Sequence, residues 1–173
     1  MRRVSRAAWG SVLFFLVAPG VMGGVVPWLL TAGYSDPAAP VSVTLGLVLV
    51  VVGVTVLVAC FVQFVREGRG TPAPVAPTRE LVVGGIYRWV RNPMYLAVGA
   101  IILGQAVAFG SGAVVTWLAV FAVAVVSFVL GYEQPTLQAT YGESYDEYRR
   151  HVPGWYPRLT PWRGPGQGPA SSR

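Results

Sequence analysis

The chain has 173 residues, 54% of them hydrophobic and only 12% charged, which excludes an ordinary soluble domain: apolar runs this long cannot all be buried in one domain of that size. Its single Cys60 excludes an intramolecular disulfide, and no Cys/His cluster offers a metal site. The net charge of +6 would suggest nucleic acid in a soluble chain, but here the arginines stand at the ends of apolar segments, so membrane topology accounts for them and no nucleic-acid partner is expected.

In chain order, Arg2, Arg3 and Arg6 precede an apolar stretch from about Ala7 to Leu30. It is too long for the apolar part of a signal peptide and lacks a small-residue cleavage site, so it is predicted to be a retained first span. Pro19, Gly20, Gly23, Gly24 and Pro27 should kink or thin it. A turn-rich loop over residues 31–40 follows, and then a second span from about Val41 to Val65, rich in Val, Leu and Gly. Residues 70–78, with three prolines, are predicted to form an extended strap over the membrane surface.

From Met94 to Leu130 the sequence is apolar, interrupted at Phe109, Gly110, Ser111 and Gly112. Two short helices joined by a tight turn, a helical hairpin, are the expectation, with Gly99, Ala100, Gly104 and Ala108 available for close helix contact. All thirteen basic residues are Arg, and all fall at the N-terminus, in the 66–91 segment or after residue 148. That asymmetry predicts four spans in a cell membrane with both termini cytoplasmic.

Leu137, Tyr141, Tyr145, Tyr148 and Val152 recur at spacings of four, four, three and four, so residues 131–152 are expected to form an amphipathic helix at the interface, with Pro135 in its first turn. Further prolines preclude a helix beyond it, and Trp155, Tyr156 and Trp162 are placed to anchor the start of the tail at the headgroups. The fold class is therefore all-α: a polytopic membrane protein with four transmembrane helices, two in residues 1–65 and two in a core over residues 66–156. Residues 157–173 make a Pro/Gly-rich tail predicted to be disordered.

The stretch from Arg79 to Tyr95 carries the chemistry. Asn92 suits an N-cap and Pro93 a first helical residue, so a helix opening with unpaired N–H groups should lie beside Arg88 and Arg91, an arrangement that can hold an anion. The same residues would serve equally as ordinary interface anchors of a span. Glu133 stands out because a carboxylate at the end of a membrane span is unfavourable unless paired or bound to something. His151, in the terminal segment, reads as a surface residue.

Tyr87-x-x-x-Arg91-Asn92-Pro93-x-Tyr95, followed by Glu133-Gln134-x-x-Leu137-x-x-x-Tyr141-Gly142-x-x-Tyr145-x-x-Tyr148, resembles the signature of the isoprenylcysteine carboxyl methyltransferase and phospholipid methyltransferase superfamily over about residues 70–156. The resemblance implies an integral membrane enzyme that binds S-adenosylmethionine through Arg79, Glu80, Leu81, Val82, Tyr87, Asn92, Pro93, Met94, Tyr95 and Glu133. Catalytic roles fall to Arg91, Tyr95 and Glu133. The acceptor it implies is lipophilic: an isoprenoid carboxylate, a phospholipid amine or a similar group. Asn92 stands where the family usually has His and Gln134 where it has a second Glu, which removes a titratable group at each place. Val129 stands where the eukaryotic isoprenylcysteine enzymes carry an arginine for the substrate carboxylate, which disfavours a prenylated protein C-terminus as acceptor. An NADPH-dependent reductase of the sterol reductase type and a non-enzymatic membrane scaffold are the rival expectations.

Overall fold

A computed structural model describes residues 17–67 and 81–164. The N-terminal arginines, the Pro-rich strap over residues 70–78, Arg79, Glu80 and residues 165–173 lie outside the described residues. Those that are described form five helices and no strand: α1 (Val17–Leu30), α2 (Pro40–Glu67), α3 (Pro93–Phe109), α4 (Gly112–Tyr141) and α5 (Glu143–His151). Of these, α2 over Pro40–Gln63 and α4 are long and apolar enough to cross a membrane, while α1 and α3 are shorter apolar helices.

Two prolines shape the helices in the same way. Pro27 has no N–H to give the Gly23 carbonyl four residues earlier, and Pro135 none to give Gly131. In each case the helix widens to a π-helical turn just upstream, Val21–Val25 in α1 and Val129–Glu133 in α4. Pro135 thus lies inside one continuous helix rather than in the first turn of a new one, which corrects the expectation for residues 131–152. At Gly23 the free carbonyl finds a replacement donor, the Gln105 side-chain amide on α3 at 2.6 Å. The Gln105 carbonyl oxygen accepts in turn from the Tyr34 hydroxyl, so a polar group deep in an apolar helix is satisfied from both ends.

The closest helix contact is α2 on α3. A Cβ on Gly46 would collide with the Gly104 carbonyl, and one on Gly53 would stand 2.7 Å from the Ala97 carbonyl. These pairs are two turns apart on both helices, so the small residues form one seam along which the backbones touch and dispersion contacts replace bulky side chains. Gly104 and Ala108 join that seam as their spacing suggested, whereas Gly99 faces Leu118 of α4. Next, α3 ends at Gly110 in the left-handed conformation and α4 begins at Ser111, whose hydroxyl accepts from the Val114 N–H. The two helices then pack through Val98, Ile102, Ala106 and Val114 against Trp117, Leu118 and Phe121. They are unequal: α3 is about 26 Å long and α4 about 45 Å at 1.5 Å per residue, not the two short helices expected.

Beyond α4 the predicted single amphipathic helix is broken at Gly142, whose φ of +52° a residue with a side chain rarely adopts. The periodic face itself holds, since Tyr145, Tyr148 and Val152 are buried with Leu137 and Tyr141 packed against them. It covers Leu81, Val83 and Trp162 of the protein, so this face is not free for the membrane interface. Residues 152–164, expected in part to be a disordered tail, instead return along residues 88–92. Arg91 N–H donates to the Pro153 carbonyl, Asn92 N–H to Gly154, Arg158 N–H to Trp89 and Trp162 N–H to Arg88. Trp162, expected at the headgroups, is buried on Tyr148 with ring centroids 5.5 Å apart.

Candidate active site

The site lies where α3 opens and α4 passes its π-helical turn. Upstream of α3, a short 3-10 turn over Gly85–Arg88 seats Tyr87 in an apolar cluster with Cys60, Val82 and Met94. Burial raises the Tyr87 phenol well above its ordinary pKa. The Tyr148 phenol, likewise raised by burial, donates to the Tyr87 carbonyl at 2.7 Å. Thus α5 fixes the backbone that leads into the helix opening.

Pro93 occupies the first helical position and Asn92 the cap, as its sequence suggested, yet the Asn92 side chain caps nothing. It is only 7% exposed, and its Nδ2 has no hydrogen-bond partner among the described residues. A buried amide donor without a partner is unfavourable by about 1–3 kcal/mol, so this one has donor capacity to spare. The first N–H groups of α3 have no acceptor within the helix either, and all carry the positive end of the helix dipole. Arg91 Nη2 lies on the same side, since a Cβ on Gly154 would come within 3.3 Å of Asn92 Nδ2 and 3.4 Å of Arg91 Nη2.

Across from this opening, the Tyr95 hydroxyl donates to Glu133 Oε2 at 2.7 Å. Tyr95 lies in the first turn of α3, and Glu133 is the last residue of the π-helical turn that Pro135 imposes on α4. The Arg91 charge acts on Glu133 as well. Burial raises the Tyr145 phenol while Arg91 lowers it, and the Tyr145 oxygen accepts from Arg91 Nη1 at 3.2 Å.

The structure therefore brings Arg91, Asn92, Pro93, Tyr95 and Glu133 to one place. Val82, Tyr87 and Met94 turn their side chains into the neighbouring apolar cluster, and Leu81 packs on the Tyr145, Tyr148 and Trp162 cluster instead. The two arginines differ from expectation. Arg88 Nε donates to the Trp162 carbonyl and Arg91 Nε to Val152 at 2.7 Å, so each is in part a clamp for the returning segment. Sequence reasoning missed Gly154, and it read Trp162 as a membrane anchor where the structure packs it on Tyr148.

A phospholipid methyltransferase family model matches residues 41–144, which takes in most of α2, the segment leading to α3, and all of α3 and α4. The chain belongs to the phospholipid methyltransferase family. Membership makes it a membrane methyltransferase, in agreement with the two long apolar helices, and lends nothing to the reductase or scaffold readings. No match was found among curated proteins or among solved structures. The family match stops just inside α5, so Tyr145, Tyr148 and the returning segment lie beyond the matched residues.

Proposed function

We propose that this family member uses S-adenosylmethionine to methylate a lipophilic acceptor, a phospholipid amine before an isoprenoid carboxylate, at the cytoplasmic leaflet. In this reading α1 to α4 all cross the membrane, α3 and α4 as a hairpin, with both termini cytoplasmic, as the arginine distribution favours. The observation that carries the proposal is the Tyr95 to Glu133 hydrogen bond, which joins the two halves of the signature into one site.

The residues present fit the cofactor. Asn92 Nδ2, the α3 N–H groups and Arg91 suit its carboxylate; Glu133 suits ribose hydroxyls; and the aromatic face of Tyr95 suits a cation. Arg79, Glu80, Leu81, Val82, Tyr87 and Met94 belong to the same proposal through the family motif. Bound there, S-adenosylmethionine supplies an electrophilic methyl group on a sulfonium. With the Tyr95 hydroxyl on Oε2, Glu133 keeps further acceptor capacity for a ligand. Where the acceptor is an ammonium headgroup, that carboxylate takes the proton which the nitrogen must lose before its lone pair can react. The remaining acceleration comes from holding the acceptor in line in a water-poor site, and neither role needs a metal.

Equilibrium binding of labelled S-adenosylmethionine to purified protein, with NADPH in parallel, tests the reading. Saturable binding of the first alone is the expected result, and no saturable uptake of it would overturn the proposal. Mass spectrometry of lipid extracts incubated with methyl-deuterated cofactor then identifies the acceptor.

A further inference from the structure

We propose that the tip of the returning segment, Tyr156 to Leu159, is a finger that inserts into the inner leaflet of the protein's own membrane beside the candidate site. Leu159 is 97% exposed and Tyr156 68% exposed. A lone exposed leucine is common on protein surfaces, but this one is not on a loose loop. The tip is held by the Arg158 N–H on the Trp89 carbonyl and the Trp162 N–H on Arg88, both at 2.9 Å, and Pro157 and Pro161 fix φ on either side of Leu159. The cation within it turns inward, since the Arg158 guanidinium donates to the carbonyls of Thr160 and His151. The guanidinium is thus tied back to backbone carbonyls while the leucine and tyrosine side chains stay exposed. A rigid loop of that polarity matches an apolar phase better than water.

The backbone bonds to Arg88 and Trp89 set the depth of this tip. Those residues lead directly into α3, so the finger sits at the level where that helix begins. If α3 crosses the membrane, that level is the boundary between headgroups and hydrocarbon; the inference rests on that part of the proposed function. Trp89 is also partly exposed, and Arg163 is exposed beyond the tip. An aromatic ring, a protruding leucine and an exposed cation together are the composition of an interfacial anchor, with the cation matched to anionic headgroups.

The test is a nitroxide at Leu159→Cys in a Cys60→Ala background, with full-length protein in phospholipid nanodiscs and collision rates measured against oxygen and a water-soluble nickel chelate. Val123→Cys on the exposed face of α4 reports lipid, and Glu143→Cys on α5 reports water. The expected result is oxygen accessibility at 159 resembling that at 123, with nickel accessibility several-fold below that at 143. Nickel accessibility at 159 equal to that at 143, with 123 still shielded, overturns the finger and leaves the membrane reading standing. Shielding of 159 from both reagents shows a protein partner or second copy on the tip and also overturns it. Nickel access at 123 removes the membrane reading, and the finger with it.

Discussion

Tyr95 and Glu133, 38 residues apart and on different helices, share a hydrogen bond of 2.7 Å. That bond ties the first turn of α3 to the π-helical turn of α4. Tyr95→Phe removes one donor to a charged group, an interaction of about 1.5–3 kcal/mol, and is expected to weaken S-adenosylmethionine binding roughly tenfold or more. Glu133→Ala should weaken it further. Equilibrium dialysis with labelled cofactor measures both, and unchanged affinity in the two variants would remove the site assignment.

Asn92 separates binding from folding. Its Nδ2 is buried without a partner among the described residues, so Asn92→Ala is expected to leave thermal stability unchanged or slightly raised while lowering cofactor affinity. Asn92→Asp places a negative charge where an anion is proposed to sit and should lower affinity more than Ala does. A parallel fall in melting temperature and affinity in Asn92→Ala would instead mean that the side chain serves the fold.

The glycine seam is a test of packing alone. Gly53→Val directs a branched side chain at the Ala97 carbonyl, 2.7 Å from the nearest Cβ position, and neither backbone can retreat without parting the helices. A loss of about 1–3 kcal/mol or more is expected in detergent unfolding. Gly20→Ala, where nothing lies near the added carbon, is the matched control and should be close to neutral.

Gln105 predicts a cost remote from chemistry. Gln105→Leu leaves the Gly23 carbonyl and the Tyr34 hydroxyl without their partner at the α1 to α3 contact, at about 1–2 kcal/mol of stability. Cofactor affinity, read in the same preparation, is expected to stay within error of the parent.

Tyr148 gives the pH dependence its sign. Burial raises its phenol above the ordinary value of about 10, so the folded protein holds this proton more tightly than the unfolded chain does. The stabilisation is complete below pH 10 and declines as pH rises past it, because the unfolded chain then binds fewer protons. Tyr148→Phe lacks that proton, so its melting temperature should be lower near neutral pH but fall less steeply between pH 10 and pH 11.

Much of the layout was legible because membrane insertion constrains sequence so strongly. Backbone groups in hydrocarbon must be bonded within a helix, so the apolar runs at 41–65 and 94–130 announce helices directly. The pair Asn92 and Pro93 marked the opening of α3 to the residue, since proline's missing N–H is harmless only there. The face of Tyr145, Tyr148 and Val152 was visible as periodicity, but periodicity reports only that a face is apolar; whether Trp162 or lipid covers it depends on where the chain goes next.

What the sequence alone determined was the class, the opening of α3 and the family signature, each a local property of side-chain chemistry and backbone donors. Tertiary structure decided the rest. It placed Glu133 on Tyr95, turned Arg88 and Arg91 toward the returning segment, and left Asn92 Nδ2 without a partner among the described residues. Those outcomes depend on contacts between segments distant in the chain, α3 with α4 and residues 88–92 with 152–162, which no local pattern encodes.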